Sequence, residues 1–499
     1  MKRSLTAALL TWCLLGAATA RAEPTDVRTT DGIVTGKSES AIETFKGIPY
    51  ATAPVGELRW QPPRPVVPWK GVRDSTKFGA ACPQDPAVAG NPTPQSEDCL
   101  FLNVWAPAKK PRGGAPVLVW IHGGGNVGGA GSQSVYDGSS FARDGVVVVT
   151  INYRLGVLGF LAHPALQAET HGAAYNGNFG TMDQIAALRW VKANIARFGG
   201  DPQRVTLAGQ SAGGEAVLFL MTTKATKGLF QKVIAQSAPG WRATTKKYEV
   251  AQKADIARLE KIGVSHDVTA ATLRATPPEK LFTDYTDLGP YLDGKLLQRE
   301  LLAAFEAGAD APVPLLIGST TDEGSLLAAY PEGGRRIVAA LGPKVEAVRD
   351  VYRLIAPDEA NFQRQLFGDA VFGASSRRIA RLHASVAPTY VYSFGYVTAP
   401  LRAQRPGASH VSDVLYQFET AHQYWPKSTD EDRAMERLTH SCWVSFIKDD
   451  APSCPSQQPW PRYSFNNDKI ISFSPAGAEV EQDYRKSQFD SIEAALFER

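Results

Sequence analysis

Gly209-Gln210-Ser211-Ala212-Gly213 is a Gly-x-Ser-x-Gly sequence, set between the short apolar run Val205 to Ala208 and a helix-compatible stretch from Glu215 to Met221. A strand, a sharp turn and a helix push a serine hydroxyl into the open, and small residues on either side let strand and helix approach each other. A serine held in that way can attack a carbonyl carbon, which leaves negative charge on the carbonyl oxygen. His122-Gly123-Gly124-Gly125 follows the apolar run Leu118 to Ile121 and can turn backbone N–H groups toward that oxygen. Gly124, Gly125 and Ala212 are the expected donors, and His122 is expected to support the loop rather than to move a proton.

Serine at its ordinary pKa is a poor nucleophile, so a base must reach it and a third group must hold the base in the right tautomer. The chain has eight histidines. His410 stands out because it comes late, in the small-residue loop Gly407-Ala408-Ser409-His410 after the apolar run Tyr390 to Phe394. Behind a serine elbow the order along the chain is serine, acid, histidine. Thr321-Asp322-Glu323-Gly324, after the run Pro314 to Ile317, lies between the other two. Its spacing leaves Asp322 and Glu323 both open as the acid.

Such residues need a scaffold that brings distant loops to one edge. Residues 116–121 and 146–152 are continuous apolar, β-branched runs, the pattern of central strands buried on both faces. Between Met182 and Phe198 the residues Ile185, Leu188, Val191, Ile195 and Phe198 recur at helical spacing, and Gly199-Gly200 then stops the helix. The stretch 241–314 is richer in charge and is expected to cover the site rather than to enter the sheet. Trp241, Phe372 and Trp425 are candidate pocket walls. Without linker, repeat or low-complexity tract in its 499 residues, the pattern points to one large α/β unit over 23–499, a mostly parallel sheet flanked by helices.

The first 22 residues read as a secretory leader: Lys2 and Arg3, an apolar run from Leu5 to Ala18, and the small-x-small site Ala20-Arg21-Ala22. Cleavage there removes Lys2, Arg3 and Arg21 and brings the formal net charge of +3 to about zero, which points to no nucleic acid and no anionic membrane. With no later run of about 20 uninterrupted apolar residues, no membrane insertion is expected, and Trp12 before Cys13 is a poor fit to a lipid-attachment site. Cys82, Cys99, Cys442 and Cys454 remain, an even number suited to an oxidising compartment. The sequence-local pairing, Cys82 with Cys99 and Cys442 with Cys454, is the expected one. No His-Glu-x-x-His or paired Cys-x-x-Cys is present, so neither metal nor cofactor is expected.

The chain resembles the type-B carboxylesterase family, which includes cholinesterases and bacterial para-nitrobenzyl esterases. The resemblance runs from about Gly47 to Tyr463, through residues 47–51, 97–105, 152–156 and 198–202 and on to Ser211. It implies an α/β-hydrolase fold, a serine esterase, and a small-molecule ester as substrate, which together with the leader gives a secreted serine esterase. It selects Glu323 over Asp322, supports His410 as base, and implies that Ser237 hydrogen-bonds behind the three. It also implies buried ion pairs of Arg59 with Glu97 and Arg154 with Asp183, and a Cys82–Cys99 bond closing a surface loop. Three positions depart from the family: Asn126 replaces an aromatic residue, Val411 a glycine, and Gln210 the glutamate of cholinesterases. These departures are expected to alter the pocket and not the machinery. The loop between Cys82 and Cys99 has no aromatic residue, so a site for quaternary ammonium is not expected. Two alternatives to ester hydrolysis are an amidase or carbamate hydrolase with the same three residues, and a non-catalytic binding module.

Overall fold

The computed structural model describes residues 23–85, 94–169, 177–240, 246–282, 288–425, 427–455 and 458–497. The leader, Cys13 and Trp241 lie outside them. Seven strands form the centre of the fold: β1 (Ala115–Ile121), β2 (Val147–Ile151), β3 (Gly200–Gln210), β4 (Lys232–Gln236), β5 (Leu315–Thr320), β6 (Thr389–Phe394) and β7 (Lys469–Ser474). They lie side by side in the order β2-β1-β3-β4-β5-β6-β7, and every neighbouring pair is parallel. Antiparallel strands extend both ends, from Phe101–Pro107 and the N-terminal strands beside β2 to Gly477–Gln482 beside β7.

The apolar runs are continuous because helices cover both faces. Val117, Val119, Ile121, Val205, Leu207, Leu315 and Ile317 face one core, into which the helix α1 (Phe179–Asn194) sends Ile185, Leu188 and Val191. Leu118, Trp120, Ala208, Leu316, Tyr392 and Phe394 alternate onto the other, where they meet Trp443 and Phe446. α1 starts three residues before Met182, continues as a 3-10 turn to Phe198, and ends at Gly199, whose φ of 86° is the left-handed stop the glycine pair predicted. The helix α2 (Ala212–Thr222) starts directly after Ser211.

Residues 246–282 and 288–314 contribute no strand to the large sheet; Lys246–Lys247 and Tyr291–Leu292 pair only with each other. Part of this region touches the glycine loop, since a Cβ added at Gly289 would lie 3.0 Å from Asn126 Nδ2.

Cys82 is bonded to Cys99 and Cys442 to Cys454, the expected pairing. Both expected ion pairs form. Arg59 Nε donates to Glu97 at 2.6 Å, and Arg154 reaches Asp183 through Nε at 2.7 Å and Nη2 at 2.8 Å. Asp183 is fully buried. Asp183→Asn therefore strands the Arg154 guanidinium, and denaturant unfolding should show a loss of roughly 3–5 kcal/mol.

Candidate active site

Parallel strands place all their carboxyl ends on one edge, and that edge is where the loops of an open α/β sheet build sites. The candidate residues are carried there by adjacent strands. β1 ends in His122 to Gly125, β3 in Ser211, β4 in Ser237, β5 in the loop with Glu323, and β6 leads to His410. Bonds at the strand ends stitch these loops together: Ser211 N–H to the Gln236 carbonyl at 2.9 Å, Ser237 N–H to Gly318 at 2.8 Å, and Asp322 N–H to Ala408 at 2.9 Å.

Ser211 has φ 58° and ψ −127°, a conformation costing about 1–3 kcal/mol that persists only where its surroundings dictate it. The packing here does so. A Cβ on Gly213 would lie 2.1 Å from the Ile121 carbonyl oxygen, and one on Gly209 would lie 2.4 Å from that of Gly213. Only glycine lets β1, β3 and α2 meet so closely. Helix α2 then points its N-terminus at the serine.

Glu323 and His410 come together, with carboxylate Oε2 against ring Nδ1. The other carboxylate oxygen accepts from Ser237 Oγ at 2.5 Å and from the Thr320 N–H at 2.7 Å. Burial opposes ionisation of Glu323, but the His410 ring and these hydrogen bonds outweigh it and hold the carboxyl below its usual range. Asp322 faces away and is held by Arg364 through Nε at 2.9 Å and Nη2 at 2.5 Å. The geometry thus separates two neighbouring acids that spacing could not. The His410 N–H donates to Ser325 Oγ at 3.0 Å, and its ring packs on Phe372 with centroids 5.2 Å apart.

One contact corrects an expectation. Gln210 Nε2 lies 2.8 Å from His410 Nε2, on the ring atom that would take the serine proton, and among the described residues no hydrogen bond joins Ser211 Oγ to that ring. Gln210 therefore touches the machinery as well as the pocket. An amide N–H on Nε2 fixes the ring with its proton on Nδ1, toward Glu323, and must yield when the serine engages. Hydrogen bonds of this kind are often loose without substrate and tighten when it binds.

The glycine loop is tightly built. Gly124 and Gly125 have φ of 103° and 63°, and a Cβ on Gly124 would meet the Gly128 carbonyl oxygen at 2.2 Å. Among the described residues the N–H groups of Gly124, Gly125 and Ala212 donate to no partner. Gln84 clamps the far side of the loop, accepting from the Gly129 N–H at 2.7 Å and donating to its carbonyl at 2.9 Å. Gln84 stands in no motif, and Gln210, at a variable position of the serine motif, carries no mark of its partner.

His122 stacks on Tyr153 with centroids 4.5 Å apart, and its Nδ1 donates to the Gly123 carbonyl at 2.8 Å. Burial pushes the imidazole down from 6.5 to about 4, although the bond to Gly123 favours the charged form. It is neutral in the fold near pH 7. Because its folded pKa is depressed, the stability it contributes is complete above about pH 6.5 and is lost as pH falls toward 4, at most ~3 kcal/mol. His122→Phe keeps a ring against Tyr153 and cannot titrate, so its urea midpoint should fall less than that of wild type between pH 7 and pH 4.

A cavity of ≈ 420 Å³ opens beside Gly124, Gln210 and His410, within the size range of small-molecule sites. Val135, Tyr136, Val411, Leu415 and Trp425 supply its apolar wall. Trp425 thus lines the cavity as expected, whereas Phe372 packs behind His410. Val411 has φ 78°, a left-handed conformation that a β-branched residue rarely adopts and that suits the glycine usual in the family.

The profile of the carboxylesterase family matches residues 23–492. The chain is 34% identical to fumonisin B1 esterase of Sphingopyxis macrogoltabida over 90% of its own length and 87% of the relative's. It is 36% identical to para-nitrobenzyl esterase of Bacillus subtilis (strain 168), over 88% and 92%. Among solved structures, a PNB esterase superposes with a TM-score of 0.84 at 32% identity, covering 94% of this chain and 99% of that one. The Geobacillus stearothermophilus carboxylesterase Est55 superposes with a TM-score of 0.82 at 35% identity, covering 95% and 100%.

Proposed function

The chain belongs to the carboxylesterase family and is a carboxylic ester hydrolase, and from that premise we propose that it is a secreted serine esterase working through an acyl-enzyme. The observation that carries this reading is the strained Ser211 elbow on the same carboxyl-end edge of the sheet as the Glu323–His410 pair.

In the first half-reaction Ser211 Oγ bonds to the ester carbonyl carbon while His410 Nε2 takes its proton, displacing the Gln210 amide. The N–H groups of Gly124, Gly125 and Ala212 stabilise the oxyanion. The carbonyl re-forms, the bond to the alcohol oxygen breaks, and His410 returns the proton to that oxygen. Water then attacks the acyl-serine by the same steps, releasing the acid and restoring Ser211. Glu323 holds the ring with Nδ1 protonated and stabilises the imidazolium as it forms. Ser237 and the Thr320 N–H hold Glu323.

Secretion is supported by the leader-like residues 1–22 and by two disulfides. No helix among the described residues is long and apolar enough to cross a membrane. The test of the reaction is turnover of p-nitrophenyl acetate, butyrate and octanoate beside the matching anilides. Ester turnover far above anilide turnover supports the reading; anilides cleaved as fast would replace it with an amidase.

A further inference from the structure

The cavity beside His410 carries an unusual charge. Among the described residues that line it there is no Asp or Glu, and the one side chain with a permanent charge is Arg405. Gln210, on the same wall, is neutral where the family resemblance places a glutamate in cholinesterases.

Arg405 is exposed and makes one weak side-chain contact, Nη1 to Ser409 Oγ at 3.4 Å. The carboxylates on neighbouring elements have other contact partners, and Arg405 acts on Asp322 only through its charge, without an ion-pair contact. Asp322 is held by Arg364, Glu323 by His410 and Ser237, Glu431 by Arg402, and Asp413 by Gln236 and Tyr392. Among the described residues no carboxylate lies within ion-pair distance of Arg405. A guanidinium presents a planar fork of N–H donors that matches a carboxylate in two parallel bonds. Four residues separate it from His410 along one loop, and both line the cavity together with Gly124 of the glycine loop.

We propose that Arg405 is a specificity-determining residue, and that the preferred substrates are esters that carry a second, ionised carboxylate. This rests on the esterase reading above. A neutral ester would occupy the apolar wall and leave Arg405 to water, whereas an acidic ester also fills the fork.

The test compares kcat/KM, by acid release, for monomethyl glutarate and dimethyl glutarate, and for 3-acetoxypropanoate and its methyl ester. The two pairs place the carboxylate on the acyl and on the alcohol side. Wild type should favour the anionic member of at least one pair by about tenfold or more, as expected for a charge-assisted contact. That ratio should collapse in Arg405→Ala, recover in part in Arg405→Lys, invert in Arg405→Glu, and shrink in high salt, which screens an exposed charge. A wild type that cleaves p-nitrophenyl butyrate but shows no anionic preference, or a preference that survives Arg405→Ala, overturns the inference and leaves the esterase reading intact. A folded protein that cleaves none of these esters overturns both.

Discussion

Ser211→Ala should remain folded and lose about a million-fold in kcat for p-nitrophenyl butyrate, the scale of loss seen when the nucleophile of a serine hydrolase is removed. The fold should tolerate the change because alanine keeps the Cβ, so the backbone conformation at φ 58° is no worse for it. The backbone bonds that hold the elbow, from Ser211 N–H to Gln236 and from Glu215 N–H to the Ser211 carbonyl, remain. The hydroxyl caps no helix N–H, so its removal leaves no buried donor stranded. Any residual rate above water should come from Gly124, Gly125 and Ala212 and from the cavity. Thermal unfolding of the variant should match that of wild type, which separates loss of chemistry from loss of structure.

Glu323→Gln should cost about 10⁴-fold in kcat, while Asp322→Asn should leave kcat within about an order of magnitude of wild type. The difference follows from where the two side chains point. Glutamine at 323 can still accept through one oxygen, from Ser237 and Thr320, but it then turns an NH₂ toward His410 Nδ1. A donor there selects the tautomer with the proton on Nε2, which cannot receive the serine proton. Asp322→Asn instead weakens the pair with Arg364, away from the ring, so its effect should be on stability. Kinetics of the two variants on one p-nitrophenyl ester decide the assignment. A large loss in Asp322→Asn with a mild one in Glu323→Gln would exchange their roles.

Much of this site is legible in the sequence, for local reasons. The β-branched runs at 116–121 and 146–152 are continuous because both faces of the central sheet are buried. Gly209, Gly213, Gly123 and Gly124 stand where any Cβ meets a backbone oxygen, so steric necessity is written in residue type. The acid was open on spacing alone. Asp322 and Glu323 are adjacent, and which one turns to the histidine depends on Arg364, 42 residues away from Asp322.

Contacts between distant side chains left no trace in the sequence pattern. Gln210 meets His410 across 200 residues, and Gln84 clamps Gly129 across 45. A glutamine has no periodicity or spacing that reveals its partner. Two of the antiparallel strands that extend the sheet, Ile33–Glu39 and Gly477–Gln482, are illegible for a related reason: both are part exposed and mixed in composition, so they lack the apolar run that marks the centre. The 3-10 extension of α1 and the early start of α2 are shifts of a few residues at element ends, where local sequence is least decisive.

The most direct measurement is to trap the covalent intermediate. A p-nitrophenyl phosphonate should release about one p-nitrophenol per chain, and intact-mass analysis should show one phosphonyl group, located by peptide mapping to Ser211 and absent from Ser211→Ala. A chain that hydrolyses esters while the adduct maps to another residue, or while no adduct forms at all, would contradict nucleophilic attack by Ser211.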